Sequence, residues 1–93
     1  MAIIFDSAKR DITLAERGLD FADAEAVFAG LSVTLPDERH DYGEPRWQTY
    51  GLIGNRLVMI VWTTRGTDRH VISMRKCNDR EQARFADQLG RSG

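Results

Sequence analysis

The sequence contains one cysteine, two histidines, two prolines and no long apolar run, and each shortage excludes a class of protein. A lone Cys77 cannot form an intrachain disulfide, and with two histidines it cannot complete a closed zinc site without several carboxylates. The longest apolar run, Leu57 to Trp62, is far too short to cross a bilayer, and Met1 to Lys9 lacks the features of a signal peptide. We therefore expect a cytoplasmic protein with neither a membrane segment nor a metal site.

Positive charge is also scarce, since 13 Lys and Arg against 14 Asp and Glu give a net charge of -1 at pH 7. A protein that coats nucleic acid is usually clearly basic, so any nucleic-acid role must depend on a local patch. The glycines are scattered among predicted turns and form no phosphate-binding loop, so no nucleotide cofactor is expected. The 42% hydrophobic and 29% charged residues are typical of a globular protein, and the length suits one domain over residues 1–93.

Two helices are predicted near the start of the chain, after a short β-like run at residues 3–5. Asp6 is a plausible N-cap for the first helix, which Gly18 ends. Asp20 is a plausible N-cap for the second helix, which Gly30 ends. Apolar residues recur at helical spacing in both segments, so we expect each helix to bury one face.

The rest of the chain predicts strands and one more helix. The polar stretch from Pro36 to Pro45 is interpreted as an ordered loop, and Gly54-Asn55 as a two-residue hairpin turn. Asn78 and Glu81 form a capping-box pattern for a C-terminal helix, and residues 90–93 should fray. Four stretches with strand-like patterning are residues 31–35, 46–53, 56–64 and 69–75. The predicted element order is β-α-α-β-β-β-β-α, in one α+β unit.

Three segments of the chain together resemble the successive signatures of one protein family. They are FDSAKRDITLAERGLDFADAEAVF at residues 5–28, DERHDYGEPRW at 37–47 and TTRGTDRHVISMRK at 63–76, the last followed by Glu81 and Phe85. In this order and at these separations they resemble the BrnT family over nearly the whole chain. That family comprises bacterial type II toxins with a RelE-like ribonuclease fold. They are encoded beside BrnA, a ribbon-helix-helix antitoxin that binds and neutralises them.

The resemblance implies a RelE-like α+β fold with two N-terminal helices, a four-stranded, mainly antiparallel sheet and a C-terminal helix. A short N-terminal strand is optional in this prediction. The implied activity is that of a metal-independent endoribonuclease that cleaves RNA and arrests translation. The implied partner is a BrnA-like antitoxin in a hetero-oligomer, which reaches operator DNA only through the antitoxin.

Some residues match the family pattern and others depart from it. Thr13, Glu16 and Arg17 replace an asparagine, a lysine and a histidine, and His70 replaces an arginine. These replacements lower the local positive charge, so they support an alternative: a catalytically weakened or inactive binding module that acts through its antitoxin complex and operon repression. The matching residues are Arg46, Arg65, Ser73, Arg75 and Glu81.

RNA cleavage without a metal needs a base, an acid and cations that stabilise the transition state. Arg65 on a predicted hairpin and Arg75 at the end of the last strand are expected to clamp a phosphate, because a guanidinium holds two oxygens and stays charged. His70 has a side chain suited to proton transfer near neutrality. The predicted catalytic residues are therefore Arg65, His70 and Arg75. The alternative for both arginines is a solvated position that caps a strand end.

Five more residues are predicted to bind the substrate: Arg46, Ser73, Lys76, Arg80 and His40. Lys76 and Arg80 could equally be an ordinary solvated rim, and His40 could be structural. Strand alternation places His70 and Arg75 on opposite faces of the sheet. Either a bulge redirects part of the strand, or these two residues do not share a site.

Overall fold

The computed structural model describes residues 1–89, which contain five β-strands and three α-helices. The predicted element order is confirmed, whereas the prediction for residues 90–93 lies outside the described residues. The strands are β1 (Ile3–Phe5), β2 (Ser32–Pro36), β3 (Trp47–Ile53), β4 (Arg56–Arg65) and β5 (Asp68–Lys76). The helices are α1 (Ser7–Arg17), α2 (Ala24–Ala29) and α3 (Asp79–Phe85), with a 3₁₀ turn at Phe21–Asp23 before α2.

The strands form one mixed sheet in the order β1-β5-β4-β3-β2. Strands β2 to β5 pair in antiparallel fashion, and β1 pairs with β5 in parallel. The predicted four-stranded sheet is thus corrected to five strands. The N-terminal run joins the sheet because its main chain bonds to β5, as in the 2.8 Å hydrogen bond from Arg69 N to the Ala2 carbonyl.

Helix α2 and the 3₁₀ turn bury their apolar side chains against one face of the sheet. Phe21, Ala24 and Val27 are each at most 1% exposed and pack on strand residues that include Ile60 and Met74. This spacing places one side of the helical segment on the sheet, as predicted. The hydrophobic effect therefore holds this segment in place.

Helix α1 is attached differently from the prediction, because none of its residues, Ser7–Arg17, is fully buried. Arg10 binds both carboxylate oxygens of Asp20 at 2.8 and 2.9 Å, and Arg17 donates to the Met74 carbonyl at 2.9 Å. Polar contacts at both ends therefore fix α1 on the same side of the sheet as α2.

Helix α3 covers part of the opposite face, which we call the α3 face. Phe85 is 2% exposed and stacks on Tyr50 with ring centroids 4.3 Å apart. Asn78 and Glu81 form the predicted capping box. The core residues of this face are Tyr50, Leu57, Met59, Val61, Cys77, Phe85 and Leu89. In the part of the chain that the structure describes, no helix has the length and apolar character required to cross a bilayer.

Candidate functional site

A β-bulge in β5 determines which side chains share a face of the sheet. Val61 lies opposite Ser73, but its neighbour Trp62 lies opposite Val71, so Ile72 is an extra residue in β5. Opposite residues in an antiparallel pair point to the same face. Because of this extra residue, the side chains of β5 on the two sides of the bulge do not follow the strict alternation between sheet faces that a regular strand shows.

The bulge places His70 and Arg75 together on the α3 face. His70 lies opposite Thr63 and Arg75 lies opposite Met59, and both partners belong to the alternating set of β4 that points to this face. The two residues are nevertheless five positions apart, which is roughly 15 Å along a strand. They share a face but not a single site.

Arg46 and Arg65 converge on one carboxylate at the end of the α3 face that lies away from α3. Glu44 Oε2 accepts a hydrogen bond from Arg46 Nε at 3.2 Å, and Glu44 Oε1 accepts one from Arg65 Nη1 at 3.0 Å. The side chain of Arg65 is 49% exposed, against 25% for Arg46 and 26% for Glu44. Desolvation raises the pKa of Glu44, but the hydrogen bonds from Arg46 and Arg65 outweigh it and leave the pKa below its ordinary value.

His70 lies beside this pair of arginines. Arg65 is opposite Asp68, so His70 is its diagonal neighbour across the strand pair, a relation in which residues lie about 7–8 Å apart. Thr63 lies between them and donates from Oγ1 to the Pro45 carbonyl at 2.6 Å, which ties the loop to the sheet. His70 Nδ1 is buried and has no hydrogen-bond partner among residues 1–89. We call Glu44, Arg46, Thr63, Arg65 and His70 the loop-end cluster.

The loop that carries Glu44 is ordered by the buried carboxylate of Asp37. Arg39 donates to it from Nε and Nη2 at 2.8 Å each, and these bonds lower the pKa of Asp37 to about 2 against the opposing effect of burial. The Tyr42 hydroxyl also approaches this carboxylate, at 3.5 Å, and the Tyr42 ring supports the Arg46 guanidinium at 4.0 Å. The predicted loop is confirmed except at Pro36, which belongs to β2, and the loop contributes directly to the position of Arg46.

Arg75 is engaged at the other end of the α3 face. Its Nη1 and Nη2 donate to the two carboxylate oxygens of Glu81 at 2.8 and 2.7 Å. Glu81 also accepts from the Asn78 main-chain N–H at 3.0 Å as part of the cap of α3. Bonding to Arg75 lowers the pKa of Glu81 to about 2. In this structure Arg75 therefore joins β5 to the start of α3.

The remaining predicted site residues lie in three different places. Ser73 is half-buried on the α3 face, and Lys76 and Arg80 are exposed near the start of α3. His40 is exposed in the loop, with its ring edge-on to that of Tyr42 at a centroid distance of 5.7 Å. The predicted site residues that the structure brings together are Arg46, Arg65 and His70.

Glu44, Asp37 and Thr63 each help to build the loop-end cluster, although none of them is among the residues predicted from the sequence. The available signal was the spacing of Glu44 and Arg46, which stand two residues apart on either side of Pro45. Opposite charges so close in a polar loop can indicate an ion pair. Nothing local indicated that Arg65 would share the same carboxylate.

The loop-end cluster is partly exposed, with Thr63 buried beneath Arg65 and Glu44 at the surface. No enclosed pocket occurs in the described chain, and within it no group of three or more His, Cys, Asp or Glu side chains is placed to hold a metal ion.

The family comparison covers this whole region. A family model described as "Ribonuclease toxin, BrnT, of type II toxin-antitoxin system" matches residues 5–81. The matched range includes the loop-end cluster and the Arg75–Glu81 pair. No curated protein matches the chain.

Proposed function

This chain belongs to the BrnT family of ribonuclease toxins of type II toxin-antitoxin systems, and from that premise we propose its activity. We propose that it is a metal-independent endoribonuclease that arrests translation. The observation that carries the proposal is the convergence of Arg46 and Arg65 on one anion beside His70. The RelE-like form of the α+β fold is part of the same proposal.

The proposed reaction uses the 2′-hydroxyl of the RNA as the nucleophile. A base takes the hydroxyl proton, the 2′-oxygen bonds to phosphorus, and the 5′-oxygen leaves with a proton from an acid. Arg46 and Arg65 stabilise the negative charge that grows on the phosphate oxygens. His70 serves as one of the two proton-transfer groups, because its imidazole can be protonated or neutral near pH 7.

Replacing Arg65 with alanine should lower the rate of RNA cleavage by about 10²-fold, because the transition state loses one of its two guanidinium groups. His70→Ala should lower it by about 10²-fold or more through loss of proton transfer. Cleavage of a labelled RNA by the purified chain on a denaturing gel measures both effects.

The matched control is Lys9→Ala, which removes one exposed positive charge from α1, on the other side of the sheet. An equal loss of cleavage in Lys9→Ala and Arg65→Ala would contradict a site at the loop-end cluster.

Arg75→Ala belongs in the same assay. Its thermal stability should be measured in parallel, because Arg75 also binds Glu81 at the start of α3. We propose that five further residues contact the RNA beyond the phosphodiester that is cleaved: Arg75, Ser73, Lys76, Arg80 and His40.

A type II toxin implies an antitoxin partner. We propose a BrnA-like ribbon-helix-helix protein that forms a hetero-oligomer with this chain and supplies all contact with operator DNA. The neighbouring reading frame should then encode a short ribbon-helix-helix protein. Co-purification of the two chains measures the association directly.

A second candidate function is a binding module with weakened or no cleavage, which acts through its antitoxin complex. It is favoured by the pairing of Arg46 and Arg65 with Glu44, and by the lack of an orienting partner on His70 Nδ1 among the described residues. Expression of the chain without a partner separates the two functions. Growth arrest supports the ribonuclease, and normal growth with a folded product supports the binding module.

A further inference from the structure

Glu44 lies between the two arginines on which the proposed function depends. We propose that the Glu44 carboxylate is a resident anion of the free protein, and that a phosphate group of the RNA displaces it from Arg46 and Arg65. Glu44 would then act as an internal competitor that leaves the site occupied until substrate arrives. This inference rests on the proposed function, because it assigns a phosphodiester as the ligand of the same site.

The hydrogen bonds of Glu44 match those that a phosphodiester would make. Each carboxylate oxygen accepts from a different guanidinium, Oε2 from Arg46 and Oε1 from Arg65. A phosphodiester carries two non-bridging oxygens on one phosphorus, much as a carboxylate carries two on one carbon. The same two donors can therefore bind either group.

The two cations lie at the ends of strands, whereas the anion lies within the loop. Arg65 ends β4, and Arg46 directly precedes β3 with its carbonyl accepting from Asp37 N at 2.8 Å. The loop main chain next to Glu44 is also held, because Thr63 donates to the Pro45 carbonyl. Rotation of the Glu44 side chain is therefore sufficient to free both guanidinium groups, while the two arginines stay in their positions.

Charge makes displacement more favourable than sharing. A phosphate that approached Arg46 and Arg65 while Glu44 remained between them would be repelled at close range by a second anion. Once Glu44 moves away, both guanidinium groups interact with the phosphate alone. Glu44 therefore lowers the affinity of these two arginines for any other anion, including a phosphate group.

The test is the affinity for inorganic phosphate of the wild-type chain and of Glu44→Gln, measured by NMR titration or calorimetry. Glutamine keeps the length of the side chain but removes its charge, so we expect phosphate to bind about tenfold more tightly. Glu44→Ala should give a gain in the same direction, and it remains informative if the glutamine variant folds poorly. The gain should disappear in the double variant Glu44→Gln/Arg65→Ala.

The matched control is Glu38→Gln, which removes the same charge from an exposed position of the same loop. Glu38 makes no side-chain hydrogen bond or ion pair with residues 1–89. Its affinity for phosphate should stay within twofold of the wild type. If Glu38→Gln gains as much as Glu44→Gln, the effect comes from net charge and the inference is wrong. Unchanged or weaker phosphate binding by Glu44→Gln also overturns it.

Cleavage assays on the same proteins separate this inference from the proposed function. A gain in phosphate affinity in Glu44→Gln, with no RNA cleavage by any variant, supports the internal anion and contradicts the ribonuclease. Cleavage by the wild type, with no gain in phosphate affinity, supports the ribonuclease and contradicts the internal anion.

Discussion

Thr49 lies inside the sheet and accepts the hydrogen bond of a buried tryptophan. Its Oγ1 is 2.8 Å from Trp62 Nε1 and 2.8 Å from Thr34 Oγ1, and Thr49 itself has 0% exposure. Trp62 is 8% exposed, so its indole N–H has no ready access to water. A buried N–H group without a hydrogen-bond partner destabilises the folded state, and Thr49 provides the partner for the Trp62 indole.

Replacing Thr49 with valine should therefore lower the free energy of unfolding by about 1–3 kcal/mol. Valine has nearly the same shape but cannot accept the bond from Trp62 Nε1. Urea denaturation monitored by tryptophan fluorescence measures the change. Thr64→Val is the control, because Thr64 is exposed on the same sheet and its side chain makes no hydrogen bond with residues 1–89. Equal losses in the two variants would contradict this account.

The packing of α2 on β3 depends on a glycine at the crossing point. A Cβ on Gly51 would lie 2.6 Å from Val27 Cγ1 and 3.4 Å from the Leu31 carbonyl oxygen. Val27 is 1% exposed and β-branched, so its methyl group has little room to rotate away. The absence of a side chain at Gly51 therefore sets how closely the helix approaches the sheet.

Gly51→Ala should destabilise the protein by about 1–3 kcal/mol, because the added methyl overpacks this contact. Val27→Ala should be destabilising alone through the cavity that it creates. The double variant should lose clearly less stability than the sum of the two single variants, because the alanine methyl then has space. Thermal unfolding of all four proteins measures the coupling. Simple additivity would show that the two residues are not in contact.

Arginine–carboxylate pairs make the stability of the folded protein depend on pH. Two of them join separate elements, whereas the Arg39–Asp37 pair lies within one loop. Each carboxylate has a pKa of about 2, and in each case hydrogen bonding from its arginine is the main cause. The carboxylates must stay ionised for these pairs to persist. The pairs are Arg10 with Asp20, Arg39 with Asp37 and Arg75 with Glu81.

Stability should accordingly be constant near neutrality and should fall as the pH decreases from about 4 to 2. Above that range these acids are ionised in both the folded and the unfolded chain, whereas within it the unfolded chain takes up protons first. Asp37→Asn should lower stability at pH 7 by about 2 kcal/mol and make the acid limb shallower. Circular dichroism during urea unfolding at several pH values measures both effects. Glu38→Gln, which removes an exposed acid from the same loop, should leave the acid limb unchanged.

The sequence by itself determined the order of the elements, the caps of α1 and α3, and the family. The predicted N-cap of the second helix was wrong in one respect, because Asp20 caps the 3₁₀ turn and α2 begins only at Ala24. Asp6 accepts from the main chain of Ala8 and Lys9, and Asn78 and Glu81 cap α3, all within three residues. Such interactions are local, so a linear pattern contains them completely. The family resemblance likewise depends on the sequence alone, and the family match over residues 5–81 confirms it.

Only the tertiary structure decided which predicted site residues meet. The bulge at Ile72 brings His70 and Arg75 to one face, and Glu44 joins Arg46 to an arginine 21 positions away from Glu44 along the chain. Arg75 instead binds Glu81 at the start of α3. Strand register and the choice of ion-pair partner depend on distances between segments that are remote in sequence. Those distances exist only once the sheet has assembled, which is why the residue pattern could not reveal them.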